Sequence, residues 1–250
     1  MICEREKIAA YAVMYDGSWT KIAKALAEGT EPRSVTCSEN YITAADPQYP
    51  ACLRQLRYPP WILFYQGNIK LLEKPMMTIV GSRNMSETGK RMTDLVCNEL
   101  KNRFVLVSGL ARGVDACVHR HGITGAGTIG VIGSGLAWKY PRENRDLYRI
   151  MAADHLILSE YPFRTGVHRS HFPWRNRILA ALGRALIVTQ AMPHSGTSLT
   201  VNEALSLSRD VWCMPYPADD ESGLGNNWLI RDGASILCSV QDIAKLNAMY

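Results

Sequence analysis

The strongest constraint on the fold is a recurring pattern, a short β-branched run that breaks into small residues and reopens as a helix. Its clearest copy is Phe104-Val105-Leu106-Val107, followed at once by Ser108-Gly109-Leu110-Ala111-Arg112-Gly113-Val114-Asp115, with helix expected from Asp115 to Ile123. Turns of this kind sit at the carboxyl ends of parallel strands. There the glycines let backbone amides approach a ligand, and the new helix aims its partly positive N-terminus at it, so phosphate is the natural guest. Arg112 adds a permanently charged fork of donors beside the turn. The alternative is a tight connection at Gly109 and Gly113, with Arg112 in solvent.

The same logic recurs at Met77–Val80, which ends in Gly81-Ser82-Arg83 before a helix over 86–101. Thr128–Ile132 ends in Gly133-Ser134-Gly135, and Tyr140-Pro141-Arg142-Glu143-Asn144 leads into a helix over Arg145–Met151. His155–Leu158 closes with Ser159-Glu160-Tyr161-Pro162, and Leu186–Thr189 is followed by His194-Ser195-Gly196-Thr197 and a helix from Leu199 to Ser208. Val211–Met214 is a sixth strand, followed by an acidic loop at Asp219–Gly223 expected to face solvent. This succession predicts an α/β fold with a doubly wound, mostly parallel sheet. Adjacent turns should face one crevice and bring Arg83 and Arg112 together. No full G-x-G-x-x-G follows either strand and no acidic residue ends the second, so no nicotinamide or flavin cofactor is expected.

Residues 4–28 read as two short helices, with Ile8, Ala9, Ala12 and Val13 on one stripe and Ile22, Ala25 and Leu26 on the other. They are expected to pack on the main domain. The polar stretch 29–48 serves as a boundary, dividing a helical segment, 1–45, from the main domain, 46–250. Trp61–Tyr65, after Pro59-Pro60, is expected as a short strand or packed arm whose aromatics belong to the core. With a net charge of +5 the 250-residue chain is far from a polycation, so a nucleic-acid site must come from local clustering. Its seven cysteines show neither C-x-x-C pairs nor a histidine at finger spacing, which predicts no zinc, no disulfide and a reduced compartment. A charged N-terminus and interrupted apolar runs predict a cytoplasmic protein without membrane contact.

Local clustering is present. Between Glu160 and Glu203 there is no acidic residue, while Arg164, Arg169, Arg175, Arg177 and Arg184 fall inside. Within that window His171-Phe172-Pro173-Trp174-Arg175-Asn176-Arg177 interleaves aromatic faces with guanidinium groups, which is what single-stranded nucleic acid asks for. The alternative is a solvated basic loop with Phe172 and Trp174 in the core.

In order and spacing these motifs resemble the DNA-processing protein A (DprA/Smf) family. The resemblance rests on the turns at 81–83 and 108–115 with His119, on 140–144, 159–162 and 172–178, on Ser195-Gly196-Thr197-Ser198-Leu199-Thr200, and on Gly225-Asn226-Asn227-Trp228-Leu229-Ile230 with Gly233-Ala234. It implies an extended Rossmann-like fold that binds single-stranded DNA, protects it and loads the RecA recombinase in natural transformation, acting as a homodimer. The nucleic-acid site is then expected at Gly81, Ser82, Arg83, Ser108, Gly109, Arg112, Gly113, Phe172, Arg175, Asn176, Arg177, Ser195, Gly196 and Thr197, with no catalytic residue, metal or cofactor. Departures from the family pattern are Gln190 where glutamate is frequent, Tyr216 where glycine is common, N-terminal helices short for the usual sterile-alpha-motif-like domain, and the expected lack of a C-terminal winged helix. An enzymatic alternative is a nucleotide phosphoribohydrolase or nucleotide-binding sensor of the same superfamily, since Ser195–Thr197 through Glu203 faintly resembles that phosphate loop. His194-Ser195 stands where that loop has a doubled glycine. Asp115 is expected to cap its own helix, and Glu160 to pair with a local arginine or cap the following turn.

Overall fold

Alternation within the β-branched runs places the core on both faces of one sheet. Along the strand Val105–Ser108, Val105 and Val107 join one apolar cluster and Leu106 joins another. A strand buried on both faces belongs at the centre of a parallel sheet. The computed structural model describes residues 3–32 and 37–250. Its elements in chain order are α1 (Glu4–Met14), α2 (Trp19–Glu28), β1 (Asn40–Thr43), α3 (Ala51–Arg54), β2 (Ile62–Gly67), β3 (Met76–Gly81), α4 (Glu87–Leu100), β4 (Val105–Ser108) and α5 (Val114–Ile123). They continue as β5 (Thr128–Ile132), α6 (Arg145–Asp154), β6 (Leu156–Ser159), α7 (His171–Leu182), β7 (Leu186–Gln190), α8 (Gly196–Ser206), β8 (Val211–Cys213), α9 (Leu224–Arg231), β9 (Ser235–Ile236) and α10 (Val240–Met249).

The strands form one sheet in the order β1-β2-β6-β5-β4-β3-β7-β8-β9. β2 runs antiparallel to both β1 and β6, and the remaining neighbours are parallel. From β3 the chain steps outward through β4, β5 and β6, then returns to place β7 on the other side of β3. The order therefore reverses between β3 and β7, and the crevice outside the carboxyl ends of those strands is where such folds bind ligands.

One face is covered by α7 and α8 through Ile178, Leu179, Leu182, Val201 and Ala204. The other is covered by α4, α5 and α10 through Val96, Leu100, Val118, Ile243 and Leu246. Further along that second face α1, α2 and α6 lay Ile8, Tyr11, Ile22 and Leu147 over Ile62, Phe64 and Ile157. Each fully buried aliphatic or aromatic side chain contributes about 1.5–3 kcal/mol. The N-terminal helices thus share a core with the sheet. Trp61 is half-buried against Trp19, 5.5 Å between ring centroids.

Strand β1 lies inside the polar stretch taken as a boundary, and its register pairs Thr43 with Ile62. The division at residue 46 therefore separates an edge strand from its own sheet; residues 33–36 of that stretch lie outside the described residues. In the loop at 219–223 Asp219 and Glu221 are exposed, whereas Asp220 is half-buried and caps the turn through Ser222 N–H at 3.0 Å. Among the described residues no helix is long and apolar enough to cross a membrane.

Candidate nucleic-acid interface

A groove of about 670 Å³ opens at the β3/β7 reversal. Gly81, Ser82 and Arg83 form one side, Phe172, Arg175 and Asn176 of α7 a second, and Ser195, Gly196 and Thr197 at the start of α8 a third. Tyr140, Arg169, Met192 and Leu199 are among the further residues of the lining. Nine of the expected residues therefore meet in one place, from three separate parts of the chain.

The turn after β4 supports this groove and does not line it except through Ala111 and Asp115. Ser108 is buried and donates its hydroxyl to the Ile79 carbonyl at 2.7 Å. Gly113 has φ +70°, and a Cβ there would lie 2.3 Å from the Ser82 carbonyl oxygen, so only glycine lets the two turns pack together. Gly109 serves differently: the Arg175 guanidinium occupies the space its side chain would take, 2.0 Å from an added Cβ. Leu110 holds a left-handed backbone, φ 56°. Its N–H donates to His119 Nε2 at 3.2 Å, and its carbonyl accepts from Asn144 Nδ2 at 3.0 Å. Those bonds over-determine a conformation that a non-glycine residue otherwise avoids, a pattern typical of functional turns.

His119 is fully buried, with Nδ1 bonded to Thr128 Oγ1 at 2.7 Å. Since Nε2 accepts, the ring proton sits on Nδ1. Desolvation, followed by the Arg175 charge, pushes its pKa from 6.5 down to about 3. In the unfolded chain the ring takes up a proton below about 6.5, while the folded one stays neutral to about 3, so stability falls as pH drops through that window. The contribution is up to about 1.4 kcal/mol per pH unit. His119→Gln is expected to flatten the pH dependence of urea unfolding between pH 6.5 and 4; an unchanged slope contradicts the buried neutral ring.

Arg175 and Arg177 have separate fates because two residues along a helix differ by about 200° in direction. Arg175 crosses beneath the groove and donates Nη1 to the Val131 carbonyl at 2.5 Å, leaving its buried Nε without a partner among the described residues. Arg177 departs from the expected site. Its guanidinium is buried, meets Glu160 at 2.8 and 2.5 Å, and donates Nε to the Tyr58 carbonyl at 2.9 Å. With Trp174 stacked on it at 4.1 Å, it has no path to a phosphate. Burial raises the Glu160 carboxyl and Arg177 opposes that rise, which is the pairing expected of Glu160.

Arg112 also departs from expectation. It is exposed, lies outside the groove lining, and is drawn to Glu143 at 3.7 Å, so it does not converge with Arg83. Asp115 accepts from the Ala111 N–H at 3.2 Å, in the preceding turn, and so caps that turn instead of its own helix. Burial raises its carboxyl, with Arg175 the largest opposing influence. Among the described residues it is the single carboxylate lining the groove, against Arg83, Arg169 and Arg175.

At the third side, α8 begins without a side-chain cap, and the Ser195 hydroxyl is buried with no partner among the described residues. The preceding His194 is left-handed, φ 53°. Asn176 Nδ2 reaches the Gly196 carbonyl at 3.4 Å, tying α7 to this turn. Gln190 has a local task, bonding Ser86 through both amide atoms at 2.9 and 3.0 Å and so steadying the residue that caps α4. Tyr216 donates its hydroxyl to the Thr189 carbonyl at 2.7 Å. The Phe172 ring is half-buried, 5.4 Å from the Arg83 guanidinium carbon and 6.1 Å from Tyr140. Tyr140 and Arg169 were absent from the expected site, although the first lies in the 140–144 motif and the second in the acid-free window.

Residues 40–248 match the family described as DNA recombination-mediator protein A. The chain is 40% identical over 199 residues to DNA processing protein DprA of Streptococcus pneumoniae, covering 79% of this chain and 71% of that protein. It is 39% identical over 207 residues to DprA of Bacillus subtilis, covering 82% and 70%. The solved structure of the S. pneumoniae protein superposes with a TM-score of 0.80 at 38% identity, covering 83% of this chain and 74% of that one. A Helicobacter pylori DNA processing protein A, solved for its single-stranded DNA binding mode, gives 0.77 at 29% identity, covering 85% and 98%. With its Rossmann-like α/β sheet and motif order, the chain belongs to the DNA recombination-mediator protein A family.

Proposed function

We propose that the β3/β7 groove binds single-stranded DNA, taking backbone phosphates on Arg83, Arg169, Arg175 and the amides that open α8, and a base on Phe172 beside Tyr140. One observation carries the reading: two buried donors, Arg175 Nε and Ser195 Oγ, lack partners among the described residues at the walls of a groove that also presents a helix N-terminus without a side-chain cap. Buried donors are ordinarily paired, and an anionic oxygen is the partner that suits a guanidinium, a hydroxyl and free amides together. An aromatic face beside them favours a strand whose bases are unpaired. The H. pylori relative supports the same class of ligand. Loading of RecA, homodimerisation, a role in natural transformation and a cytoplasmic location belong to this proposal through the family.

The groove is read as a binding surface without catalysis. Its one lining carboxylate, Asp115, is engaged by the Ala111 amide, and Glu203, the residue an N-glycosidic hydrolase would call on, does not line it. The test is affinity for a labelled oligothymidylate and for a duplex of equal length at several salt concentrations, with AMP turnover followed on the same sample. The expected result is tighter binding of the single strand, log K falling with log salt by about 0.7 for each phosphate neutralised, and no release of adenine. Equal affinity for duplex, a flat salt response, or adenine release that vanishes in Glu203→Ala contradicts the reading.

A further inference from the structure

Away from the groove, α4 and α5 pack side by side and bring together Asp94, Cys117 and His121. Their donor atoms all lie within 4.8 Å of one another. Cys117 and His121 are one turn apart on α5, so both point from the same face of that helix toward Asp94 on α4. Asp94 Oδ1 accepts from Cys117 Sγ at 3.2 Å and meets His121 Nε2 at 2.8 Å. All three are partly exposed, so an ion has an entry path.

We propose that Asp94, Cys117 and His121 form a zinc site that fastens α4 to α5. Thiolate, imidazole and carboxylate are the three ligand types zinc takes, and three protein donors leave the fourth tetrahedral position to water. Donors around tetrahedral zinc stand roughly 3.3–3.6 Å apart, from bond lengths of about 2.0–2.3 Å, so the two contacts to Asp94, at 3.2 and 2.8 Å, need open by only about half an ångström. Binding replaces the proton on Cys117 Sγ, which leaves to solvent, while His121 ligates through Nε2 with its proton on Nδ1. The thiolate and carboxylate then neutralise the dication in a shell where Lys90 and Arg120 are the nearby cations. Finger-type spacing could not reveal this set, because its third donor comes from another helix, more than twenty residues upstream.

A metal here acts on the two helices that follow the Gly81–Arg83 and Ser108–Asp115 turns. None of its three ligands lines the groove, so the site stands or falls independently of DNA binding. The experiment is zinc content after chelator treatment and dialysis against low-micromolar free Zn²⁺, for the full chain and for Cys117→Ser and His121→Asn. Cobalt spectra are recorded in parallel, and iodoacetamide labelling of Cys117 is mapped by mass spectrometry. One zinc per chain is expected, lost in both variants, with a thiolate-to-cobalt charge-transfer band. Zn²⁺ at ten times its Kd should slow Cys117 alkylation roughly ten-fold. Substoichiometric zinc, zinc retained by both variants, or alkylation of Cys117 unchanged by zinc overturns the site. Should a variant fail to fold, the cobalt band and the alkylation rate of the unmodified chain decide the matter.

Discussion

Glu160→Ala is expected to destabilise the protein by about 3–5 kcal/mol, because it leaves the Arg177 guanidinium buried without its counter-charge. The pair sits where β6 ends, and through the Arg177 bond to the Tyr58 carbonyl it joins α7 to the segment before β2. The double variant Glu160→Leu with Arg177→Met removes both charges while keeping volume, and should recover most of that loss. Urea denaturation of the three proteins checks this. A Glu160→Ala protein as stable as the parent would mean that the ion pair is not a structural clamp.

The same pair shows how far the sequence could be read. Acid-free composition and aromatic interleaving pointed to a segment of which Phe172, Arg175 and Asn176 line the groove. Composition ignores direction, however. Residues i and i+2 do not face alike on a helix, so Arg175 and Arg177 could not both serve one site, and Glu160 nearby in the fold was the partner of the second. The six strand-and-turn runs were legible because continuous apolar segments ending in small residues are what a central parallel strand requires. β1 was not, because a four-residue edge strand in a polar context acquires its conformation from pairing with β2. Arg112 was misplaced for a related reason: its ion pair with Glu143, thirty-one residues away, is tertiary information. Gly109 was expected to let a backbone amide approach a ligand, whereas the space its side chain would take is filled by a side chain of this protein, Arg175.

Phe172→Ala is expected to weaken single-stranded DNA binding by on the order of 1–3 kcal/mol, roughly 5- to 150-fold, with the salt slope nearly unchanged. The ring carries no charge, so its removal releases no fewer counterions. It is half-buried, beside the Arg83 guanidinium and Tyr140, and it lines the groove. A core phenylalanine truncated to alanine loses about 3–5 kcal/mol of stability instead. Thermal melting and affinity on the same variant separate the two. A strongly destabilised Phe172→Ala whose folded fraction binds normally would remove the ring from the DNA path.

The central claim, that a phosphate backbone runs through the β3/β7 groove, is tested most directly by the salt dependence of oligothymidylate binding in Arg83→Ala/Arg169→Ala. Both side chains are exposed and line the groove, so their loss should leave the melting temperature in place. The expected result is weaker binding with a slope of log K against log salt shallower by about 1.4, two contacts at about 0.7 each, while Lys24→Ala on α2 leaves the slope as it was. A slope unchanged in the double variant, or lowered equally by Lys24→Ala, would place the backbone elsewhere on the protein.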